Sequence, residues 1–209
     1  MKTVLHVGCG LADIRKMPSG FQEGWQEIRL DIVPGFKPDI VASITDMREV
    51  QSGSVDAVYS SHNIEHLYAH EVPLALAEFY RVLNSSGFLI LSTPDLQPLG
   101  QLLLEGRLED VLYTSTSGPI APIDVIYGFR PAIAQGAVAM AHKTGFTART
   151  LYRALLKAGF VQAIVNHGSH NLLAVAVRTA ADFNGRDLLN RFGKTSRAID
   201  RIVSDAAGH

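Results

Sequence analysis

Long apolar runs, cysteine and excess charge are scarce in this 209-residue sequence, and each scarcity excludes something. A single cysteine cannot close an internal disulfide, so nothing in the fold depends on an oxidising compartment. No cysteine cluster exists for zinc either, and no metal centre is expected. No run of about 18 apolar residues occurs, so no membrane span is expected. The start, MKTVLHVGCG, lacks a long apolar segment followed by a small-residue cleavage site, and the expected location is the cytoplasm. The formal net charge is -1, which leaves no global electrostatic footprint for nucleic acid. Hydrophobic residues make up 47% and charged residues 19%, the balance of a globular chain with a sizeable core.

The first half alternates strand and helix signals. Residues 3–7, 26–32, 39–44, 54–61 and 88–94 read as strands, and residues 70–83 carry apolar residues at helical spacing, with Pro73 in a first turn and NSSG as the stop. Leu11–Met17 makes only a short helix. The pattern predicts an α/β fold, a doubly wound, mostly parallel sheet with helices on both faces. It lapses over 95–141, a Gly/Pro/Ser-rich insertion with one helix expected near 99–112; loops of this length are usually lids or binding segments. A helix over 146–160, with Thr147 as N-cap and Gly159 at its end, precedes two strands, 161–168 and 172–179, joined through SHN. That short joint suits an antiparallel pair. Residues 1–178 thus form one domain, and 179–209 a helix-prone tail of mixed charge, read as a solvated helix face or a homodimer arm.

The stretch VLHVGCG runs a buried strand into Gly-x-Gly, where Gly8 and Gly10 remove Cβ atoms that would block a ligand. By itself this fits a plain tight turn equally well. Asp31 ends the second strand, placed to take two ribose hydroxyls, and Asp46 follows the third, placed to accept from an adenine amino group. Each alone reads as a strand-end or loop acid. Together they occupy one edge of the sheet. A dinucleotide site would want a third glycine, but position 12 is alanine, and no tyrosine has a lysine four residues on.

These features resemble the class I S-adenosylmethionine-dependent methyltransferases, especially their small type 11-like group. VDAVYSSHNIEHL followed by EFYRVLNSSGFLILSTPD is the most specific match, and HKTGFTARTLYRALLKAGF (142–160) resembles members linked to surface-glycan or other secondary pathways. The resemblance implies a seven-stranded sheet with an antiparallel last strand. It implies S-adenosyl-L-methionine as cofactor, held by Gly8, Cys9, Gly10, Asp31, Ile32, Thr45, Asp46, Met47, Ser61 and His62. The reaction it implies is methyl transfer to an oxygen or nitrogen of a small molecule. Many members carry an acid where this chain has His6, which leaves the methionine-end contacts open. Two readings compete: an NAD-dependent oxidoreductase, and an inactive cofactor-binding partner subunit.

Methyl transfer is an in-line displacement, so positioning carries most of the catalysis and a base is added only when the nucleophile arrives protonated. His142, where the insertion hands over to a helix, is the leading candidate base, with a surface loop histidine as the equal alternative. His62 contacts cofactor or substrate, or caps a helix. Asp95, after the fifth strand, holds an acceptor group or acts as an N-cap. Glu65 and His66 read as mainly structural, and Cys9 as a small buried residue. Tyr113, Tyr127, Phe129 and Arg130 suit a pocket for a flat or anionic acceptor, although Phe129 reads better as core of the insertion.

Overall fold

The computed structural model describes residues 1–180 and 184–192. β1 (Lys2–Val7), β2 (Trp25–Asp31), β3 (Ile40–Val41), β4 (Val55–Ser61) and β5 (Leu83–Pro94) form the parallel part of a sheet. α1 (Val72–Val82) crosses from β4 to β5. The insertion contains α2 (Leu99–Leu104), a hairpin of β6 (Tyr113–Ser115) and β7 (Gly118–Ile120), α3 (Pro122–Tyr127) and α4 (Arg130–Ala134). α5 (Ala148–Lys157), β8 (Gln162–His167), β9 (Asn171–Val177) and α6 (Gly185–Phe192) follow. The sheet order is β3-β2-β1-β4-β5-β9-β8, with β9 antiparallel to both neighbours. The chain reverses its direction of travel across the sheet between β1 and β4. At such a switch point the two strand-end loops splay apart and leave a crevice for a ligand.

The central strands are apolar on both faces because both faces are covered. Leu5, Val7, Val58, Leu89 and Leu91 meet Phe79 of α1 and Leu151 and Leu155 of α5. On the opposite face Val4, Ala57, Tyr59, Phe88 and Val175 meet Phe21, Leu189 and Phe192. Phe21, Phe88 and Phe192 lie with ring centroids 4.5–6.4 Å apart. The doubly wound arrangement holds, with α6 on this second face. Between β1 and β3 it carries only single 3-10 turns, Ile14–Lys16, Ser19–Phe21 and Pro34–Phe36. Prolines 18 and 34 interrupt both crossovers, so the aromatic cluster and α6 close the face instead.

Other boundaries moved for local reasons. β3 is two residues long because the chain turns at once, with Asp46 N–H donating to Ser43 O (3.0 Å). NSSG does not end α1. It bulges out of β5 between the pairs Val55–Leu83 and Ala57–Phe88, and Asn84 bridges to Asp56 (2.9 Å) and accepts from Ser86 N–H. The expected helix over 99–112 stops at Leu104, before Gly106 at φ +73°. Thr147 caps α5 as expected, accepting from Thr150 N–H. The insertion has a small core of its own, Leu99, Ile120 and Val125, against which Phe129 packs.

In the tail, Arg186, Asp187 and Arg191 lie on α6, with Arg191 and Asp187 3.7 Å apart. Asp182, Lys194, Arg197, Asp200, Arg201 and Asp205, which carried the dimer-arm reading, lie outside the described residues. Among the described residues no helix is long and apolar enough to cross a membrane.

Candidate active site

The loop after β1 is fixed from two sides. Gly8 and Gly10 have φ of +61° and +52°, a region that side-chain-bearing residues rarely adopt. A Cβ on Gly8 would lie 2.5 Å from the Asn63 amide. From β2, the buried Asp31 accepts from Gly10 N–H (2.8 Å) through one carboxylate oxygen and from Val33 N–H (2.9 Å) through the other. Arg29 donates to Gly10 O (2.7 Å) and Ala12 O (3.1 Å). Each Asp31 oxygen keeps an acceptor position for a ligand hydroxyl.

The other residues expected at the cofactor fall in two groups. Ile32 projects into solvent, 66% exposed, beside Asp31, as an apolar platform. Thr45 bonds Ser43 hydroxyl to hydroxyl (2.7 Å), and Asp46 lies beside it at the edge, its carboxylate paired with Arg48. Ser61 meets Ser92 across β4 and β5 (3.0 Å). Met47 and Cys9 are instead turned inward. The Met47 side chain is fully buried in the main core, and its backbone is pinned by Glu78 (2.6 Å) and Arg81 (2.8 Å). Burial pushes the Cys9 thiol above its usual pKa, as suits a packing residue.

His6, standing where many relatives of this pattern carry an acid, is buried against the Tyr59 ring and shares a 2.7 Å hydrogen bond with Glu27 on β2. Burial holds its imidazole below the usual value despite that partner, so the neutral ring donates to the carboxylate. The other Glu27 oxygen accepts from Ile14 N–H (2.8 Å). A carboxylate thus lies beside position 6, one strand over.

Asn63 is a residue that sequence reasoning passed over. Its amide nitrogen is buried and has no hydrogen-bond partner, and neither does Ser60 Oγ. A buried donor without a partner costs about 1–3 kcal/mol. Beside the Gly8 cradle, it is suited to the acceptor atoms of a bound ligand. The glycine cradle, the strand-end acid and this waiting donor fit an adenosyl amino acid with a free carboxylate.

Past β4, His62 has φ +49°, a strained conformation for a residue with a side chain, and its backbone N–H bonds Ser92 O (2.9 Å). Its Nδ1 lies 3.2 Å from Glu65, which is 1% exposed and also accepts from Thr93 Oγ1 (3.1 Å). Burial raises the Glu65 pKa, but the hydrogen bond and charge of His62 more than offset this and leave it below the usual range. Glu65 is therefore ionised and is more than a helix-start acid. His66 donates from Nδ1 to Ala141 O (3.2 Å), and His142 from Nδ1 to Val125 O (2.9 Å). The two rings meet edge-on at 5.1 Å, and burial lowers the His142 pKa.

Asp95, 1% exposed, accepts from Gln97 N–H (3.0 Å) and pairs with Nδ1 of His167, the last residue of β8, at 2.6 Å. Sequence reasoning passed over His167 because its partner lies 72 residues away. Tyr113 stacks on His170 at 4.6 Å, whereas Tyr127 is exposed. Arg130 is spent on Asp124 (2.8 Å) and Glu109 (3.0 Å), which pin α4 rather than await an anion.

Residues 5–91 match the family described as a methyltransferase domain, of the type 11 group. No curated protein matches the chain. A solved S-adenosylmethionine-dependent methyltransferase from Archaeoglobus fulgidus superposes with a TM-score of 0.56 at 15% identity, over 84% of this chain and 85% of that one. The 1,6-didemethyltoxoflavin-N1-methyltransferase of Burkholderia thailandensis, solved with bound 1,6-didemethyltoxoflavin and S-adenosylhomocysteine, does so with a TM-score of 0.52 at 14% identity, over 84% and 70%. The fold is shared at these identities, and the family match covers the strands and loops that form the glycine cradle and the strand-end acid. Residues 5–91 are thus similar to the type 11 methyltransferase domain, and the chain as a whole shares the fold of solved S-adenosylmethionine-dependent methyltransferases.

Proposed function

We propose that the protein methylates a protonated oxygen or nitrogen of a small molecule, with the acceptor held between the ends of β4 and β5 and the 95–141 insertion. The observation that carries this reading is the pair Asp95–His167, a buried carboxylate bonded to a half-buried histidine at the end of β5. A buried acid holding one ring nitrogen fixes the tautomer and leaves the other nitrogen as a base. Bound S-adenosylmethionine supplies an electrophilic methyl group on a sulfonium. Asp31 and Ile32 hold the adenosine end, with Thr45 and Asp46 at the adenine edge. Gly8, Gly10, Ser61, His62 and Asn63 line the methionine end. His167 receives the acceptor's proton, and the Asp95 carboxylate stabilises the imidazolium that results. Alignment supplies up to about 7–11 kcal/mol and the base about 10²–10⁴-fold.

A small acceptor is favoured over nucleic acid by the near-neutral charge and by an insertion that carries its own core. The structural neighbour from Burkholderia thailandensis is named a 1,6-didemethyltoxoflavin-N1-methyltransferase. The reading is tested by incubating the protein and S-adenosylmethionine with a panel of hydroxylated and amino compounds and following S-adenosylhomocysteine by mass spectrometry. Product with at least one small acceptor and none with tRNA or DNA is expected. Product with nucleic acid alone overturns the reading.

The insertion serves here as lid and acceptor wall. Limited proteolysis within 95–141 is therefore expected to slow when cofactor and acceptor are both bound, because lids order on closure. Equal cleavage rates with and without ligands would remove the lid.

A further inference from the structure

His66 and His142 share a feature that packing does not require. Each ring donates its Nδ1 proton to a backbone carbonyl, His66 to Ala141 (3.2 Å) and His142 to Val125 (2.9 Å). That fixes both tautomers and leaves a lone pair on each Nε2. One ligand atom from each ring and one carboxylate oxygen of Glu65 lie within 4.8 Å of one another. Glu65 is buried, and among the described residues its ion-pair partner is His62, with no lysine or arginine side chain paired to it. The neighbouring Lys143 gives Glu65 O only its backbone N–H (2.8 Å), and its ammonium lies over the Tyr68 ring, 4.9 Å from the centroid. Two imidazole acceptors and a buried carboxylate converging on one spot repel one another unless something positive sits between them.

We propose that Glu65, His66 and His142 bind a divalent transition-metal ion. Metal-ligating histidines almost always donate their other ring nitrogen to a carbonyl or carboxylate, the arrangement both rings show here. The remaining contacts of Glu65, to His62 and to Thr93 Oγ1, orient the carboxylate in the same way. Two imidazoles and one carboxylate suit zinc, cobalt, nickel or iron(II) rather than calcium or magnesium, which prefer all-oxygen shells. Three protein ligands leave a tetrahedral ion one position for water or an acceptor, the pattern of catalytic rather than structural zinc sites. The site lies past the end of β4, so the inference rests on the methyltransferase reading only in naming a hydroxylated acceptor as the ligand for that position.

The ligands come from a 3-10 turn at Ile64–His66 and from His142, just past the end of the insertion and 76–77 positions further on in sequence. Bound metal would therefore tie the insertion to the sheet edge. Its removal should free the insertion for proteolysis even without cofactor.

The test uses tag-free full-length protein stripped with a chelator, then titrated with Zn(II) and separately with Co(II), with metal content read by elemental mass spectrometry. One ion per chain is expected. His66→Gln and His142→Gln should each weaken binding by at least about ten- to a hundred-fold, whereas His70→Gln on the exposed flank should not. Ring-nitrogen NMR of the parent protein keeps the proposal falsifiable if a variant misfolds: the His66 and His142 signals must shift on adding Zn(II), and that of His170 must not. Absence of stoichiometric binding, or full binding by the His66/His142 double variant, overturns the proposal. Cofactor affinity, measured on the metal-free protein, separates failure of the metal site from failure of the methyltransferase reading.

Discussion

His167→Gln is expected to lower turnover by about 10²–10⁴-fold while leaving S-adenosylmethionine affinity within about a factor of two. Glutamine keeps a donor for Asp95 but has no ring nitrogen to take a proton. Asp95→Asn is expected to fall in the same range, since an amide there favours the wrong tautomer of His167. A purely structural pair would show a different pattern: lower thermal stability, unchanged turnover of the folded fraction, and no difference between acceptors of low and high pKa. An acidic acceptor, already ionised at neutral pH, should be methylated by His167→Gln at close to the parental rate. Loss of turnover that is equal for both acceptor types would remove His167 from the chemistry.

Asp31→Ala is expected to weaken S-adenosylmethionine binding by at least ten- to a hundred-fold. A hydrogen bond to a charged group contributes about 1.5–3 kcal/mol, and each 1.4 kcal/mol is tenfold in affinity. The loss has a second source. Asp31 also holds Gly10 N–H and Val33 N–H, so alanine leaves two loop donors without a partner and frees the cradle before any ligand arrives. Calorimetry on the folded variant should show weaker binding, and Asp31→Asn should be intermediate because one oxygen remains. Parental affinity in Asp31→Ala would show that the ribose assignment is wrong.

The sheet was legible in the sequence wherever it depends on local pattern. The apolar runs at 4–7, 55–59 and 88–91 are buried on both faces, and Thr147 and Gly159 bracket α5 as their chemistry predicts. NSSG misled because the same residues that stop a helix also form a bulge, and only strand pairing decides between the two. The nearness of the glycine loop to Asp31 was legible because they end adjacent strands close in sequence. His142 was singled out for its position, but nothing local shows that its ring is edge-on to His66. His167 was invisible for the same reason: Asp95 is brought to it by the order β5-β9-β8, a long-range fact. Met47 misled in the other direction, because loop membership says nothing about which way a side chain turns.

The antiparallel β9 has a consequence for how such a protein diversifies. In an all-parallel sheet the link between the last two strands would cross the fold and close on the far edge. Here β9 runs backwards, so its first residue, Asn171, stands opposite Pro94, and the 168–170 turn is delivered to the same rim as the glycine loop. The rim is thereby divided by chain order. Residues 8–63 supply the glycine loop, Asp31 and Asn63, and residues 95–170 supply the insertion, His142, His167 and the Tyr113–His170 stack. The early and the late stretch can then vary separately while still meeting at one rim.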